Sequence, residues 1–195
     1  MEPIISLIIE ALWFIFPAYL ANSAPVDVSQ IRSLKKYGTP IDGGKTWRGK
    51  RILGDGKTWR GLYAGIIAGT LAGLIQVMIQ PTLANTYPNL PQMTVALAFM
   101  ISLGALVGDM VESFFKRQIN LKPGAPLPLF DQLDFVFGAV FFAWIWTVFS
   151  AGQLAGAFEK MLGWSRFLLI LLITPLMHLI TNLIAWAWKL KKDPW

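Results

Sequence analysis

Cysteine is absent from these 195 residues, and histidine occurs once, at His178. Disulfides, thiolate metal sites and cysteine nucleophiles are therefore excluded, as is any metal site built from clustered histidines. Charge is also scarce. Only 14% of residues are Asp, Glu, Lys or Arg, against roughly 25% in an ordinary soluble domain. Hydrophobic residues make up 55%, so the solvent implied is lipid rather than water. The first apolar run lacks a basic flank and is longer than the core of a signal peptide, so it is expected to be a retained span.

Five apolar segments approach the roughly 20 residues that a membrane crossing needs: about Ile4–Ala21, Gly61–Gln80, Gln92–Phe114, Leu133–Ser150 and Phe167–Trp188. The expected fold is all-α, a single polytopic membrane domain over residues 1–195 with loops at about 22–60 and 109–132. Net charge is +6, a value that would also suit nucleic acid, so its distribution decides. Of 17 Lys and Arg, nine lie in Asn22–Arg60, three in Asp109–Gln132, and three are Lys189, Lys191 and Lys192. Lys160 and Arg166 alone fall on the other side. By the positive-inside rule the three basic segments are cytoplasmic, with the N-terminus outside and the C-terminus inside. The partner is the cell membrane, and no nucleic acid is called for. Trp13, Trp47, Trp59, Trp164, Trp188 and Trp195 fall at or near the expected interfaces, as aromatic belts do.

Two patterns carry spacing but no chemistry. Gly61, Gly65, Gly69 and Gly73 form a small-residue stripe on the second span, fit for close helix packing within the protomer or for a homodimer contact. Gly44-Lys-Thr-Trp-Arg-Gly49 recurs as Gly56-Lys-Thr-Trp-Arg-Gly61. A phosphate-binding P-loop is rejected, because its leading glycine is Thr39 in one copy and Arg51 in the other, and no strand precedes either.

The chemistry gathers at two helix ends. Asp109, Glu112, Ser113 and Lys116 share one face of the third span, with Arg117 adjoining. Carboxylates at that depth mark a functional site unless they merely form intrahelical pairs such as Glu112–Lys116. Asp131 and Asp134 open the fourth span, either to bind Mg²⁺ or to cap the helix and favour its dipole. Both clusters are expected at the same membrane face. Four carboxylates beside Lys116, Arg117 and Lys122 suit Mg²⁺ with a polyphosphate, since carboxylates hold the hard cation and cations neutralise phosphate.

Gly108-Asp109, Ser113-Phe-Phe-Lys116-Arg117, Lys122 and Asp131-Gln-Leu-Asp134 resemble the signature of the phosphatidate cytidylyltransferase superfamily. Pro123 follows the spaced lysine where the superfamily has Asp, its His-Gly-Gly is missing, and Gln132 stands for Arg. With Gly54-Asp-Gly-Lys-Thr-Trp-Arg-Gly61 and Pro126-Leu-Pro-Leu-Phe-Asp-Gln-Leu-Asp134, these departures resemble the archaeal branch, the CDP-archaeol synthases. The matching stretches, Ile41–Gly61 and Gly108–Gly138, span about a quarter of the chain. The resemblance implies transfer of CMP from CTP to an isoprenoid ether lipid phosphate, 2,3-bis-O-geranylgeranyl-sn-glycerol 1-phosphate, with release of pyrophosphate. It implies Mg²⁺ on Asp109, Asp131 and Asp134, with Glu112 a further candidate. Lys116, Arg117 and Lys122 then meet phosphates, Ser113 a phosphate or the metal shell, and Asp42, Asp55, Lys57 and Arg60 complete the nucleotide site. A phosphate monoester is already anionic near neutral pH, so the reaction needs alignment and charge neutralisation rather than a strong base.

Two other readings stand beside this one: a cytidylyltransferase for ester-type phosphatidate, and a small cation transporter or channel. Transporters place ionisable groups near the midplane, whereas these collect at helix ends. Elsewhere, Glu10 is a site candidate or a polar packing residue. Thr174, His178 and Thr181 share a face of the fifth span beside Pro175, suited to interhelical hydrogen bonds. Phe135, Phe137, Phe141, Phe142, Trp144, Trp146 and Phe149 crowd the fourth, facing lipid, neighbouring helices or isoprenoid chains. The topology is tested with single cysteines introduced at Lys50 or Gly124. An impermeant maleimide should label neither in sealed, right-side-out cells, and labelling at position 50 would overturn the orientation.

Overall fold

The first helix does not stop where its apolar run does. In the computed structural model, which describes residues 2–121, 125, 127 and 129–187, α1 runs Glu2–Gln30 through both Pro17 and Pro25. A proline leaves the carbonyl four residues earlier without its helical donor, and here a neighbouring helix meets each one. Nε2 of Gln76 donates to Trp13 O, the carbonyl that Pro17 frees, at 2.7 Å. The carbonyl freed by Pro25, Ala21 O, lies 2.6 Å from where a Cβ on Gly65 would stand. The helix that lies against both freed carbonyls, and bonds to the first, is α2, Trp59–Leu83, and the expected loop at 22–60 begins about two and a half turns later than its composition suggests.

After α1 come a 3₁₀ turn, Arg32–Tyr37, and a short antiparallel hairpin of β1, Thr46–Trp47, and β2, Lys50–Arg51, with Thr46 opposite Arg51. The helices α2, Trp59–Leu83, and α3, Val95–Gln118, follow. Thr58 and Thr94 cap them by accepting from the N–H groups of Gly61 and Leu97, satisfying donors that the first turn cannot. The chain continues through α4, Phe130–Ala151, the short α5, Ala157–Met161, and α6, Trp164–Ala187.

The helices α1 to α4 are each long and apolar enough to cross a membrane. In α6 the apolar run among the described residues covers Trp164–Ile180. The architecture is the expected helical, multi-pass membrane one. Lys122, Gly124, Trp188, Trp195 and the C-terminal lysines lie outside the described residues.

α1 touches α2, α3, α4 and α6, which puts it at the centre of the bundle. Phe14, Ile15 and Ala18 of α1 pack with Ala98, Ile101 and Ala105 of α3, Val136 and Ala139 of α4, and Ile170 of α6. Ile67, Met78, Phe141, Phe149 and Leu172 point outward, where lipid tails would cover them. Two polar contacts fasten the interior. The hydroxyl of Tyr19 lies 2.8 Å from Thr174 Oγ1, which itself donates to Ile170 O, so Tyr19 is the donor across α1 and α6. Glu10, only 3% exposed, pairs with Arg166 at 2.8 Å and accepts from Ser6. Of the two readings of Glu10, polar packing is the observed one. The ring of His178 packs against Phe135.

Glycine sets the helix spacing. Cβ atoms on Gly65, Gly69 and Gly73 would collide with Ala21 and Pro17 of α1 or with Leu106, Ser102 and Ala98 of α3, and one on Gly61 would press on Pro25 at 3.2 Å. The stripe therefore packs inside this chain. A second close approach joins α3 to α4. A Cβ on Gly138 would stand 2.1 Å from Gly104 O, and one on Gly108 would stand 2.3 Å from Asp134 O. Gly138→Ala should force these helices apart and cost about 1–3 kcal/mol of stability, the range for overpacked interiors. A thermal melt of the purified protein reads this as a lower Tm, and an unchanged melt would show that the crossing tolerates a methyl group.

Candidate active site

The segment between α1 and α2 has almost no regular structure, so its shape must come from elsewhere. Asp42 supplies it. Its carboxylate accepts from the N–H groups of Gly44, Leu53 and Gly54, each at 3.0 Å, and pairs with Arg51 at 2.9 Å. The side chain is 1% exposed. Burial alone would raise the pKa of this carboxyl. The Arg51 hydrogen bond, with those from the N–H groups of Gly54, Leu53 and Gly44, outweighs burial and holds it well below the usual carboxylate range. Arg51 also reaches Asp55 at 2.8 Å.

The hairpin seats this segment on the end of α3. The Trp47 ring stacks on Phe114 with centroids 5.3 Å apart, and Lys50 donates to Gln118 O. Backbone bonds from Ile41 to Lys57 and from Trp59 to Thr39 close the loop at its base. The two copies of the hexapeptide therefore fold differently. In the first, Thr46 and Trp47 form a strand, and Arg48 and Gly49 turn with φ of 51° and 76°. In the second, Thr58 caps α2 and Trp59 begins it.

Under the loop lies a cleft of about 300 Å³, lined by Leu53, Asp55 and Lys57 from above and by the ends of α3 and α4 below. Carboxylate oxygens of Asp109, Glu112 and Asp134 come within 4.8 Å of one another. The α3–α4 crossing at Gly108 makes this possible, since it sets the Asp134 backbone directly against the residue preceding Asp109. Lys57 Nζ lies 2.6 Å from Asp109 Oδ2. Lys116 Nζ lies 2.7 Å from both Glu112 and Asp131. Ser113 and Arg117 complete the wall.

Most of the expected residues thus meet in one place: Asp55, Lys57, Asp109, Glu112, Ser113, Lys116, Arg117, Asp131 and Asp134 all line the cleft. Of the four residues expected as metal candidates, three form the closest grouping. Glu112, rather than Asp131, stands with Asp109 and Asp134, while Asp131 holds Lys116 and accepts from the N–H of Leu127. Helix α4 begins at Phe130, so Asp131 lies inside the first turn and is not the cap. Asp42 and Arg60 stand back from the cleft. The first organises the loop, and the second donates to Leu34 O at 2.8 Å, fastening the 3₁₀ turn. Lys122 is outside the described residues. Sequence reasoning missed Arg51, which bridges Asp42 and Asp55. Its signal was its place at the end of the basic stretch between the two hexapeptides.

Five carboxylates face three cations across this cleft, a formal surplus of two negative charges. Three hard oxygen donors from two helices, with that surplus around them, are a donor set that fits Mg²⁺ or a similar divalent cation.

Residues 4–195 match the family model for the CarS-like CDP-archaeol synthases. The chain belongs to this family. Curated CDP-archaeol synthases from Pyrococcus furiosus and Thermococcus gammatolerans are 44% and 43% identical to it, over 96% and 95% of the chain and 98% and 95% of their own lengths. The CDP-archaeol synthase of Halorubrum lacusprofundi is 38% identical over 97% of the chain and 98% of its own length. A solved structure, described as an intramembrane enzyme for archaeal membrane lipid biosynthesis, superposes with a TM-score of 0.65 at 32% identity. That likeness covers 90% of this chain and 94% of the other. The protein is accordingly a CTP-dependent lipid-phosphate cytidylyltransferase, an enzyme of archaeal lipid synthesis embedded in the membrane, and the transporter reading falls away.

Asp42→Asn places an amide where three backbone N–H groups and a guanidinium expect an anion. The depressed pKa fixes the sign of the pH dependence. The ionised carboxylate contributes its full stability above the ordinary Asp pKa of about 3.9 and loses it as pH falls towards the folded value. The variant should therefore melt below wild type from pH 8 to 5, and the gap should narrow below about pH 4. A gap independent of pH would show that the charge of Asp42 is not what holds the loop.

Proposed function

We propose that the chain transfers CMP from CTP to 2,3-bis-O-geranylgeranyl-sn-glycerol 1-phosphate, giving unsaturated CDP-archaeol and pyrophosphate, with Mg²⁺ as cofactor and the cleft on the cytoplasmic side. One juxtaposition carries the reading. The carboxylate triad and its neighbouring cations open sideways into an apolar groove between α3 and α4. That groove is about 560 Å³ and is lined by Val111, Phe115, Phe130, Phe137 and Phe141, and it shares Glu112 and Asp134 with the cleft. Isoprenoid chains have an apolar surface to lie on while their phosphate reaches the charged residues.

A phosphate oxygen of the lipid attacks the α-phosphorus of CTP, the bond to the β-phosphate breaks, and pyrophosphate departs with the electron pair. Asp109, Glu112 and Asp134 would hold the divalent cation, whose chemistry is to neutralise the phosphates and align them. The chain's cations supply the rest. Lys116, fixed between Glu112 and Asp131, and Arg117 offer charge to the departing pyrophosphate without having to reorganise. Asp131 thus serves the phosphates through Lys116. Ser113, one residue along from Glu112, offers a hydroxyl to the same oxygens. The loop with Gly54, Asp55 and Gly56 covers the cleft, so the nucleotide lies between the loop and the helix ends. The basic asymmetry of the sequence supports the cytoplasmic placement, where CTP is made.

The test is turnover by purified protein with CTP or ATP and with ether-linked isoprenoid or diacyl lipid phosphate. CTP and the ether lipid should be preferred. Chelation should abolish the product, and Asp134→Asn should lower turnover by at least about a hundredfold, the order lost when one transition-state stabiliser is removed. Equal turnover of diacyl phosphatidate would overturn the lipid assignment, and full activity in EDTA would overturn the metal.

A further inference from the structure

Two lysines hold corners of the carboxylate triad, but not in the same way. Lys116 has a second carboxylate, Asp131, outside the triad, at the same 2.7 Å as its bond to Glu112. If Glu112 turns to a metal, Lys116 keeps its place. Lys57 pairs with Asp109 at 2.6 Å, and among the described residues no other carboxylate lies within ion-pair distance of it, although its charge also acts on Asp134. It rises from the loop rather than from a helix. Its backbone is fixed by the Ile41–Lys57 bond and by Thr58 at the start of α2, so only its side chain is left to move. That side chain also borders both the polar cleft and a separate cavity of about 410 Å³ between α1, α2 and α3.

A divalent cation and the Lys57 ammonium therefore compete for one carboxylate. Accepting the metal assignment proposed above, we infer that Lys57 is an exchangeable counter-ion that makes the metal and the nucleotide depend on each other. Lys57 on Asp109 weakens the triad as a metal site, by charge repulsion and by holding one of its ligands. A nucleotide phosphate gives Lys57 a different anion to pair with and releases Asp109 to the metal. Each ligand thus favours the other, and the coupling must be reciprocal. In the reaction Lys57 is a positioning residue for the metal and a binding residue for phosphate.

The two roles predict opposite signs, which a merely structural ion pair would not produce. Binding is measured on purified full-length protein with Mn²⁺ alone, followed by electron paramagnetic resonance, and with CTP alone in EDTA. Lys57→Met should bind Mn²⁺ at least about fivefold more tightly than wild type, and metal-free CTP at least about fivefold more weakly, the lower end of ordinary site coupling. Lys57→Arg, which keeps the charge, should leave Mn²⁺ affinity close to wild type. Asp109→Asn should show the mirror image, with weaker Mn²⁺ and tighter metal-free CTP, because Lys57 is then released.

Loss of both ligands in Lys57→Met, or unchanged CTP affinity, would overturn the exchange, and so would Asp109→Asn proteins whose CTP affinity does not rise. The outcomes separate this inference from the reading beneath it. If wild type binds CTP but no Mn²⁺ with either lysine or methionine at position 57, the metal assignment fails and the exchange with it. If Mn²⁺ binds and only the opposed signs are missing, the assignment stands and the exchange alone fails.

Discussion

The candidate active site depends on a helix crossing from which side chains are missing. Gly104 and Gly108 on α3 meet Gly138 on α4 so closely that the backbones themselves are in contact. In hydrocarbon the hydrophobic effect does not draw helices together, so close packing of small residues must do so. Because Gly108 immediately precedes Asp109 and Gly138 lies one turn after Asp134, the crossing brings Asp109 and Glu112 beside Asp134. Three carboxylates would repel one another at that distance. Packing that is favourable without them can hold them together while cations answer their charge.

Those cations come from chain segments away from the crossing point. Lys116 and Arg117 extend from the last turns of α3, but Lys57 is delivered by a loop with only four residues of strand. Such a loop would be a poor support if it were free. Asp42 gathers three of its N–H groups, and the hairpin anchors it to α3 through Trp47 and Lys50. The loop is thereby referenced to the helix whose carboxylates it must serve. Its position over the cleft follows from contacts that lie outside the cleft.

Composition and periodicity made the membrane helices legible, because about 20 apolar residues in a row have few other uses. The motif residues were legible as a cluster because their spacing put them on shared faces. What could not be read was local structure that tertiary contacts decide. The two copies of Gly-Lys-Thr-Trp-Arg-Gly are identical, yet one turns back as a hairpin and the other starts a helix. The first is followed by Lys50 and Arg51, which pair back across the turn, and the second by the apolar run of α2. Pro17 looks like a helix breaker until the donor to the carbonyl it frees is known, and that donor, Gln76, lies 63 residues from Trp13 in sequence. The grouping of Glu112, and not Asp131, with Asp109 and Asp134 has the same origin. Spacing gives a helix face but not its rotation against a neighbour, and that rotation places Asp131 on Lys116.

The bond from Gln76 to the carbonyl that Pro17 frees has a consequence for how the bundle assembles. Apolar helices in lipid slide and rotate against one another cheaply, and a repeating glycine stripe offers several nearly equal registers one turn apart. A buried amide ends that degeneracy. Gln76 can meet the one backbone acceptor that a proline has vacated at this depth, and a slip of one turn would strand both groups in hydrocarbon, at a cost of roughly 2–7 kcal/mol for each. The proline and the glutamine act together as a detent that stops α2 at a single depth against α1. Since α2 begins immediately after Lys57, that detent at the far end of the helix also sets the height at which the lysine meets Asp109.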